Sequence, residues 1–221
     1  MQKTVVYFMP GLAASPKIFE YIKLDTSLFE VHYLEWLEPL STQESLHDYV
    51  ARLATSIKHK NAVLIGVSFG GIIVQELSKY VNPKKVIIIS SVKSPDELPL
   101  RLKIIKNTKL YKAAPTSLLS NFDFLEKFVF GSWAKKRFEL YKKYLSMNSP
   151  TYLNWAFHNI LHWHKCDINI KPIHIHGVKD EIFPIDNINT CDYTIENGTH
   201  IMIINRAKWF NTNLGEIILD F

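Results

Sequence analysis

Apolar residues along the chain alternate between short unbroken runs and longer stretches with helical spacing. A run such as Val86-Ile87-Ile88-Ile89 is typical of a strand buried on both faces, as in a parallel sheet. We therefore predict strands at 4–8, 29–34, 62–65, 85–90, 173–176 and 193–195. Helical spacing follows most of these runs. The alternation predicts an α/β protein, a three-layer α/β/α sandwich with a mostly parallel sheet of about six strands.

The alternation stops after the fourth predicted strand and resumes only at residue 173. The intervening sequence has helical spacing at 97–113, 117–130, 133–147 and 151–164. Ser149 and Pro150 fit the N-cap and first position of the last of these helices. Earlier in the chain, Ser41 and Glu44 fit a capping box that would begin another helix. We expect an α/β core formed by 1–94 and 166–221, with a helical insertion at 95–165.

The segment Gly66-Val67-Ser68-Phe69-Gly70 fits the pattern G-x-S-x-G. It follows a predicted strand and opens a predicted helix, the context in which this pattern forms a sharp turn with an exposed serine hydroxyl. Gly66 and Gly70 lack a Cβ atom and leave room for such a turn. The free N–H groups at the start of the following helix favour negative charge on an oxygen atom beside Ser68.

A serine hydroxyl becomes a good nucleophile when a base takes its proton and a carboxylate orients that base. Asp180 comes just past the strand at 173–176, and His200 just past the strand at 193–195. The carboxyl ends of parallel strands meet at one edge of a sheet, so both side chains are expected near Ser68. Glu181 and Asp186 are alternatives for the acid.

Four segments together resemble the α/β-hydrolase fold superfamily over essentially the whole chain. They are Pro10-Gly11-Leu12, GVSFGG at 66–71, HGVKDEIFP at 176–184 and NGTH at 197–200. The resemblance implies Ser68 as nucleophile, His200 as general base and Asp180 as its partner. It implies an oxyanion hole formed by the backbone N–H groups of Leu12 and Phe69, and a helical lid at 95–165.

The function implied by this resemblance is hydrolysis of a small-molecule carboxylic ester or acyl thioester through an acyl-enzyme, without a cofactor. Lyase, perhydrolase or C–C bond hydrolysis on the same residues remains an alternative within the fold. A catalytically silent scaffold that binds a small ligand or a protein partner is the alternative outside catalysis.

The helix predicted at 151–164 carries Trp155, His158 and His162, which we expect to line the substrate pocket or pack on the core. His158 and His162 have the i, i+4 spacing of a zinc site, and His164 and Cys166 are close in sequence. Asn159, however, stands where a metalloprotease needs glutamate. We therefore predict no metal site. His174 and His176 are interpreted as core histidines.

Charge is distributed unevenly along the chain. Residues 93–165 contain 13 lysines and arginines against five acidic residues, whereas the whole chain has a formal net charge of only +5. The basic excess therefore lies in the insertion. It has two interpretations: solvated faces of amphipathic helices, or a docking surface for an anionic substrate or an acidic acyl-carrier protein. The rest of the chain has a negative balance, so nucleic-acid binding is not expected.

Cys166 and Cys191 form no C-x-x-C pattern, and they fit reduced thiols in a cytoplasmic protein. A signal peptide at the N-terminus is the alternative, but Pro10-Gly11 interrupts its apolar region. Apolar residues make up 47% of the chain, yet they form no run long enough to cross a membrane, so we expect no membrane span.

Overall fold

The computed structural model describes residues 2–108, 141–164 and 170–220, and within them it contains one parallel sheet of six strands. The strands are β1 Thr4–Met9, β2 Phe29–Tyr33, β3 Val63–Val67, β4 Lys85–Ile89, β5 Ile173–Gly177 and β6 Tyr193–Ile195. Their order across the sheet is β2-β1-β3-β4-β5-β6, and every neighbouring pair is parallel. The predicted strands and their parallel arrangement are confirmed.

Six α-helices lie wholly within the described residues. They are α1 Leu46–Ala54, α2 Phe69–Val81, α3 Leu100–Thr108, α4 Pro150–His162, α5 Met202–Asn205 and α6 Ala207–Leu219. Short 3-10 turns occur at Pro16–Phe19, Pro95–Glu97 and Ile185–Asn187. The start of α4 is as predicted, because the Ser149 side chain accepts the Tyr152 N–H and Pro150 takes the first position. The predicted helix at 117–130 and most of that at 133–147 lie outside the described residues.

The predicted capping box at Ser41 is wrong. Helix α1 begins at Leu46, and its N-cap is Ser45, whose Oγ accepts the Asp48 N–H at 3.1 Å. Glu44 is engaged elsewhere, because Arg52 Nε donates to its Oε1 at 2.8 Å. This ion pair ties the loop before α1 to the helix itself.

Side chains alternate across the sheet and build a hydrophobic core on each face. Leu64 of β3 belongs to the core formed with α1, α2 and α4, whereas Val63 and Ile65 belong to the core formed with α5 and α6. Continuous apolar strands are required when both faces of a sheet are covered. The three-layer sandwich predicted from the sequence is confirmed.

Helix α4, the last helix of the predicted insertion, packs directly into the first of these cores. Tyr152, Trp155 and Phe157 are almost completely buried there. The proposed division at 95 and 165 remains a prediction about the chain's organisation. Within the described residues, no helix is both long and apolar enough to cross a membrane.

Strand order brings three loops together at the carboxyl edge of the sheet. The loop after β3 carries Ser68, and those after β5 and β6 carry Asp180 and His200. The last two loops are joined by a hydrogen bond from the Lys179 N–H to the Gly198 carbonyl, 2.8 Å long. This edge therefore holds the three side chains that the sequence predicts to act together.

Candidate active site

Ser68 lies at the sharp turn between β3 and α2. Its backbone has φ 54° and ψ −122°, a conformation that residues with a Cβ rarely adopt. Packing around the turn leaves no room for side chains at the flanking glycines. A Cβ on Gly66 would overlap the backbone of Gly70, and one on Gly70 would overlap the carbonyl of Pro10. The glycines of the motif thus allow strand, helix and the loop after β1 to approach closely.

A continuous chain of hydrogen bonds joins Ser68, His200 and Asp180. Nε2 of His200 lies 2.8 Å from Oγ of Ser68. On the other side of the ring, Nδ1 lies 2.9 Å from Oδ2 and 3.1 Å from Oδ1 of Asp180. Because a carboxylate only accepts, the arrangement assigns Nδ1–H as a donor to Asp180 and leaves Nε2 free to accept the serine proton.

Asp180 is buried, and several N–H groups donate hydrogen bonds to its carboxylate. Its Oδ1 accepts the N–H groups of Ile182 at 2.8 Å and Phe183 at 2.9 Å, as the chain turns back over the carboxylate. Burial acts to raise the pKa of Asp180, but the charge and hydrogen bond of His200, with smaller contributions from His176 and Phe183, hold it below its usual value. The carboxylate is therefore anionic at neutral pH. Glu181 and Asp186 are not the residues bonded to His200.

Two buried histidines extend this network beyond Asp180. His176 Nε2 lies 2.8 Å from the Phe183 carbonyl, so it carries a proton and donates. Its Nδ1 then accepts from His174 Nε2 at 3.0 Å. Burial, more than any other cause, lowers the pKa of both rings, that of His174 to about 3. Both histidines are thus neutral at physiological pH, and each is fixed in one tautomer.

His174 and His176 are core residues, as the sequence suggested, but their link to Asp180 was missed. Nε2 of His176 is 3.5 Å from Oδ2 of Asp180. The sequence did contain a signal for this link, namely the positions of the two histidines and Asp180 along the chain. Residues two apart on β5 point to the same face, and Asp180 follows that strand closely enough to fold back toward them.

The loop after β1 forms part of the wall facing Ser68, and Leu12 lines the pocket there. Three aromatic side chains hold this loop through hydrogen bonds to its backbone. Trp36 Nε1 donates to the Gly11 carbonyl at 2.9 Å, and Tyr141 Oη donates to the Leu12 carbonyl at 2.8 Å. Tyr152 Oη accepts the Ala13 N–H at 3.0 Å. Their roles were not predicted from the sequence. Phe69 follows Ser68 as the first residue of α2, where backbone N–H groups have no partner within the helix.

The pocket over Ser68 is enclosed mainly by apolar side chains. The insertion contributes Leu102 from α3, Tyr141, and Phe157 and Ile160 from α4. Ile182, Phe183 and Ile201 come from the loops that carry Asp180 and His200, and Leu12, Ile18 and Val67 complete the wall. The rings of Phe183 and His200 pack in a T-shaped arrangement, with centroids 5.3 Å apart. Such a lining favours apolar groups over water.

Trp155, His158 and His162 of α4 were expected to line the pocket or pack on the core; Trp155 packs in the core, and the lining residues of α4 are Phe157 and Ile160. Trp155 is fully buried on another face of the helix, and its ring packs against Tyr49 with centroids 4.0 Å apart. His158 and His162 stack on each other at 4.2 Å, and neither is among the described lining residues. Helical phase decides the difference, because Phe157 and Ile160 lie three residues apart on the face turned toward Ser68.

Arg101 of α3 is one of the basic residues of the insertion, but its guanidinium bonds to the body of the protein. Its Nη2 donates to the carbonyls of Glu181 at 2.8 Å and Ile182 at 3.0 Å. It thereby ties α3 to the turn that carries Asp180. Several basic residues of the insertion, which carry either interpretation of its charge, lie outside the described residues: Lys109, Lys112, Lys135, Lys136 and Arg137.

No family model and no curated protein sequence matches the chain. Solved structures do. A hydrolase from Oleispira antarctica is 16% identical and superposes with a TM-score of 0.71, covering 100% of this chain and 93% of the other. A thermophilic esterase from Thermogutta terrifontis is 12% identical, with a TM-score of 0.70 and coverage of 98% and 90%. The chain has the α/β-hydrolase fold.

A bromoperoxidase from Bacillus anthracis shares the same architecture. It is 19% identical, with a TM-score of 0.64 and coverage of 100% of this chain and 93% of the other. Structures with different names thus resemble this α/β-hydrolase-fold chain at low sequence identity. The likeness identifies the fold, and the reaction has to be argued from the site.

Proposed function

We propose that the protein is a serine hydrolase that cleaves a carboxylic ester or thioester through an acyl-enzyme formed on Ser68. The observation that carries the proposal is the unbroken hydrogen-bonded sequence of Ser68, His200 and Asp180 at the bottom of an apolar pocket. The strained backbone of Ser68 adds to it, since strain of this kind accumulates at functional sites.

In the acylation step, His200 Nε2 takes the proton of Ser68 as Oγ attacks the substrate carbonyl carbon. Asp180 accepts from Nδ1–H and stabilises the imidazolium that forms. The tetrahedral intermediate then collapses. The bond to the leaving alcohol or thiol breaks, and His200 returns the proton to that group. Water attacks the acyl-enzyme by the same route, releasing the acid and restoring Ser68.

The negative oxygen of the intermediate requires donors that are already in place. We assign this role to the backbone N–H groups of Leu12 and Phe69. The three aromatic anchors on the loop of Leu12 support the assignment, because donors held in place need no reorganisation during the reaction. Loss of one such donor typically lowers turnover on the order of 10²–10³-fold.

The lining of the pocket favours an apolar acyl or alkyl group on a small molecule. The side chains that would contact it are mostly aliphatic or aromatic, and Tyr141 uses its hydroxyl on the Leu12 carbonyl. We propose no cofactor, because the nucleophile, the base and the oxyanion donors are all supplied by the chain.

A cytoplasmic location is also proposed. It is supported by Cys191, a free thiol whose Sγ lies 3.0 Å from the Tyr193 carbonyl.

The decisive experiment combines covalent labelling with turnover. A fluorophosphonate probe should modify the native protein on Ser68, and Ser68→Ala should remain folded but unlabelled. Among p-nitrophenyl esters of increasing chain length, kcat/KM should rise with the apolar acyl group. The single Ser68→Ala and His200→Ala variants and the double variant should lose similar amounts, on the order of 10⁶ in kcat, because the residues act as a unit.

A catalytically silent scaffold would show no labelling and no difference between native protein and Ser68→Ala. The similarity to a bromoperoxidase favours a second reaction, in which hydrogen peroxide replaces water and releases a peracid from the same acyl-enzyme. The assay supplies acetate, hydrogen peroxide and bromide: the peracid oxidises bromide to hypobromite, which brominates a dye, and acetate is regenerated. Bromination that is unchanged in Ser68→Ala would exclude this route.

A further inference from the structure

A second cluster of reactive side chains lies at the edge of the sheet, away from the pocket lining. Glu30 and His32 are two residues apart on β2 and therefore project from the same face of this edge strand. His59 joins them from the loop between α1 and β3. His32 Nε2 is 2.8 Å from Glu30 Oε1, and His59 Nε2 is 3.7 Å from the same oxygen.

Within the described parts of the chain, these three residues form the one group of three or more histidine, cysteine or acidic side chains placed to share a metal ion. One ligand atom from each residue lies within 4.8 Å of the others. Their side chains are between about a third and a half exposed, so an ion can reach them from solvent. None of them lines the pocket over Ser68.

Tyr7 of β1 orients both imidazole rings. It is the register partner of His32 across the strand pair, and the two rings stack with centroids 4.9 Å apart. The Tyr7 hydroxyl lies 2.7 Å from His59 Nδ1 and also accepts the Lys58 N–H at 3.2 Å. His59 is thereby held with Nε2 turned toward Glu30. A hydrogen bond to the other ring nitrogen is the usual support of a metal-binding histidine.

We propose that Glu30, His32 and His59 bind one zinc ion, with water as the fourth ligand. Two imidazoles and one carboxylate are a ligand set that Zn²⁺ accepts readily. Bonds of about 2.0–2.2 Å in a tetrahedral site require neighbouring ligand atoms to be roughly 3.3 Å apart. The distances of 2.8 and 3.7 Å from the Glu30 oxygen bracket that value, so small side-chain rotations close the site.

The site would add a metal cross-link at the edge of the sheet. Edge strand β2 pairs only with β1 inside the described sheet, and a zinc ion would connect it across β1 to the loop that leads into β3. Ligands that bind only the folded state raise its stability by mass action. Zinc should therefore raise the melting temperature, independently of any hydrolytic activity.

The stacked pair His158 and His162 is the competing site, since histidines four residues apart on a helix also bind zinc. The test titrates Zn²⁺ into protein freed of metal with EDTA and follows heat and melting temperature. One equivalent should bind. His32→Gln and His59→Gln should each weaken binding at least tenfold, and Tyr7→Phe should weaken it about tenfold through loss of the ring-orienting hydroxyl.

Two controls separate the possibilities. His47→Gln removes an exposed histidine outside both clusters and should leave zinc binding unchanged. The double variant His158→Gln/His162→Gln should also bind one equivalent with unchanged affinity. Loss of zinc binding in that double variant, or full binding in His32→Gln and His59→Gln, would overturn the proposal, as would the absence of stoichiometric binding in the native protein.

Discussion

Nε2 of His176 lies 3.5 Å from Oδ2 of Asp180, and both side chains are completely shielded from solvent. The same nitrogen donates to the Phe183 carbonyl, so His176 supports the carboxylate both directly and through the turn above it. We therefore expect His176 to be a positioning residue for the proposed reaction. His176→Phe, which keeps the ring but removes the N–H, should lower kcat about 10–100-fold with little change in KM.

A pH profile distinguishes positioning from a structural role. The acid limb of kcat/KM reports protonation of the base His200, and the Asp180 carboxylate stabilises the protonated ring through Nδ1–H. Displacement of Asp180 in His176→Phe should therefore move the acid limb to lower pH. His176→Gln should restore most activity, because its amide donates to Phe183 and accepts from His174 as the neutral imidazole does. An unchanged acid limb in a folded His176→Phe variant would reduce His176 to a packing residue.

The identity of the carboxylate that orients His200 is tested by replacing each of the three acidic residues between 180 and 186. Asp180→Asn should lower kcat on the order of 10⁴-fold while leaving the fold intact, since an amide favours the wrong tautomer of His200. Glu181→Gln and Asp186→Asn are the matched controls and should retain nearly full activity. Steady-state kinetics on one ester substrate measures all three. Full activity in Asp180→Asn would transfer the role to one of the neighbouring carboxylates.

Acid should destabilise the protein through its buried histidines. Burial, more than any other cause, lowers the pKa of His174 to about 3, whereas the unfolded chain takes up a proton near pH 6.5. Between these values the unfolded state binds more protons, so the free energy of unfolding falls as pH falls, by up to about 1.4 kcal/mol per pH unit for this group.

Urea unfolding between pH 7.5 and 5 measures this slope. His174→Gln keeps an N–H donor toward His176 but does not titrate, and it should flatten the slope by about one proton. His47→Gln, an exposed histidine, should leave the slope nearly unchanged. Equal slopes in His174→Gln and native protein would mean that His174 is protonated in the folded state as readily as in the unfolded one.

Gly70 gives a prediction in which tertiary packing opposes helix propensity. Alanine is favoured over glycine inside a helix by roughly 1 kcal/mol, yet a Cβ at Gly70 would overlap the carbonyl of Pro10. Gly70→Ala should therefore lower both melting temperature and kcat. Gly215→Ala in α6 is the matched control. Its Cβ would lie 3.5 Å from the Phe29 ring, an ordinary contact, so the melting temperature should rise slightly.

The proposed docking role of the basic residues in the insertion is tested by varying the salt concentration. If it docks an acidic acyl-carrier protein, kcat/KM for that substrate should fall steeply above about 0.1 M salt, where the Debye length is about 10 Å. A neutral short ester should be nearly insensitive. Charge reversal of Lys135, Lys136 and Arg137 to glutamate should reproduce the loss, and Lys17→Glu, on the body of the protein, should not. Equal salt dependence for both substrates favours the solvated-surface interpretation.

The sequence by itself determined the sheet and the order of the reactive loops. Apolar runs on β3 and β4 are continuous because both faces of these strands are covered, and that pattern is visible in the sequence itself. The serine turn could also be predicted from the sequence, since two glycines at fixed spacing are needed for strand and helix to meet. Asp180 and His200 could be placed because residues just past parallel strands share one edge.

The tertiary structure alone decided which side chains face which. Phe157 and Ile160 line the pocket, and Trp155 does not, because the rotation of α4 about its axis is set by packing on α1 and α2. Arg101 turns toward the Asp180 loop for the same kind of reason. A periodic pattern shows that a helix has a buried face, but the partner of each residue on that face depends on contacts between segments far apart in sequence.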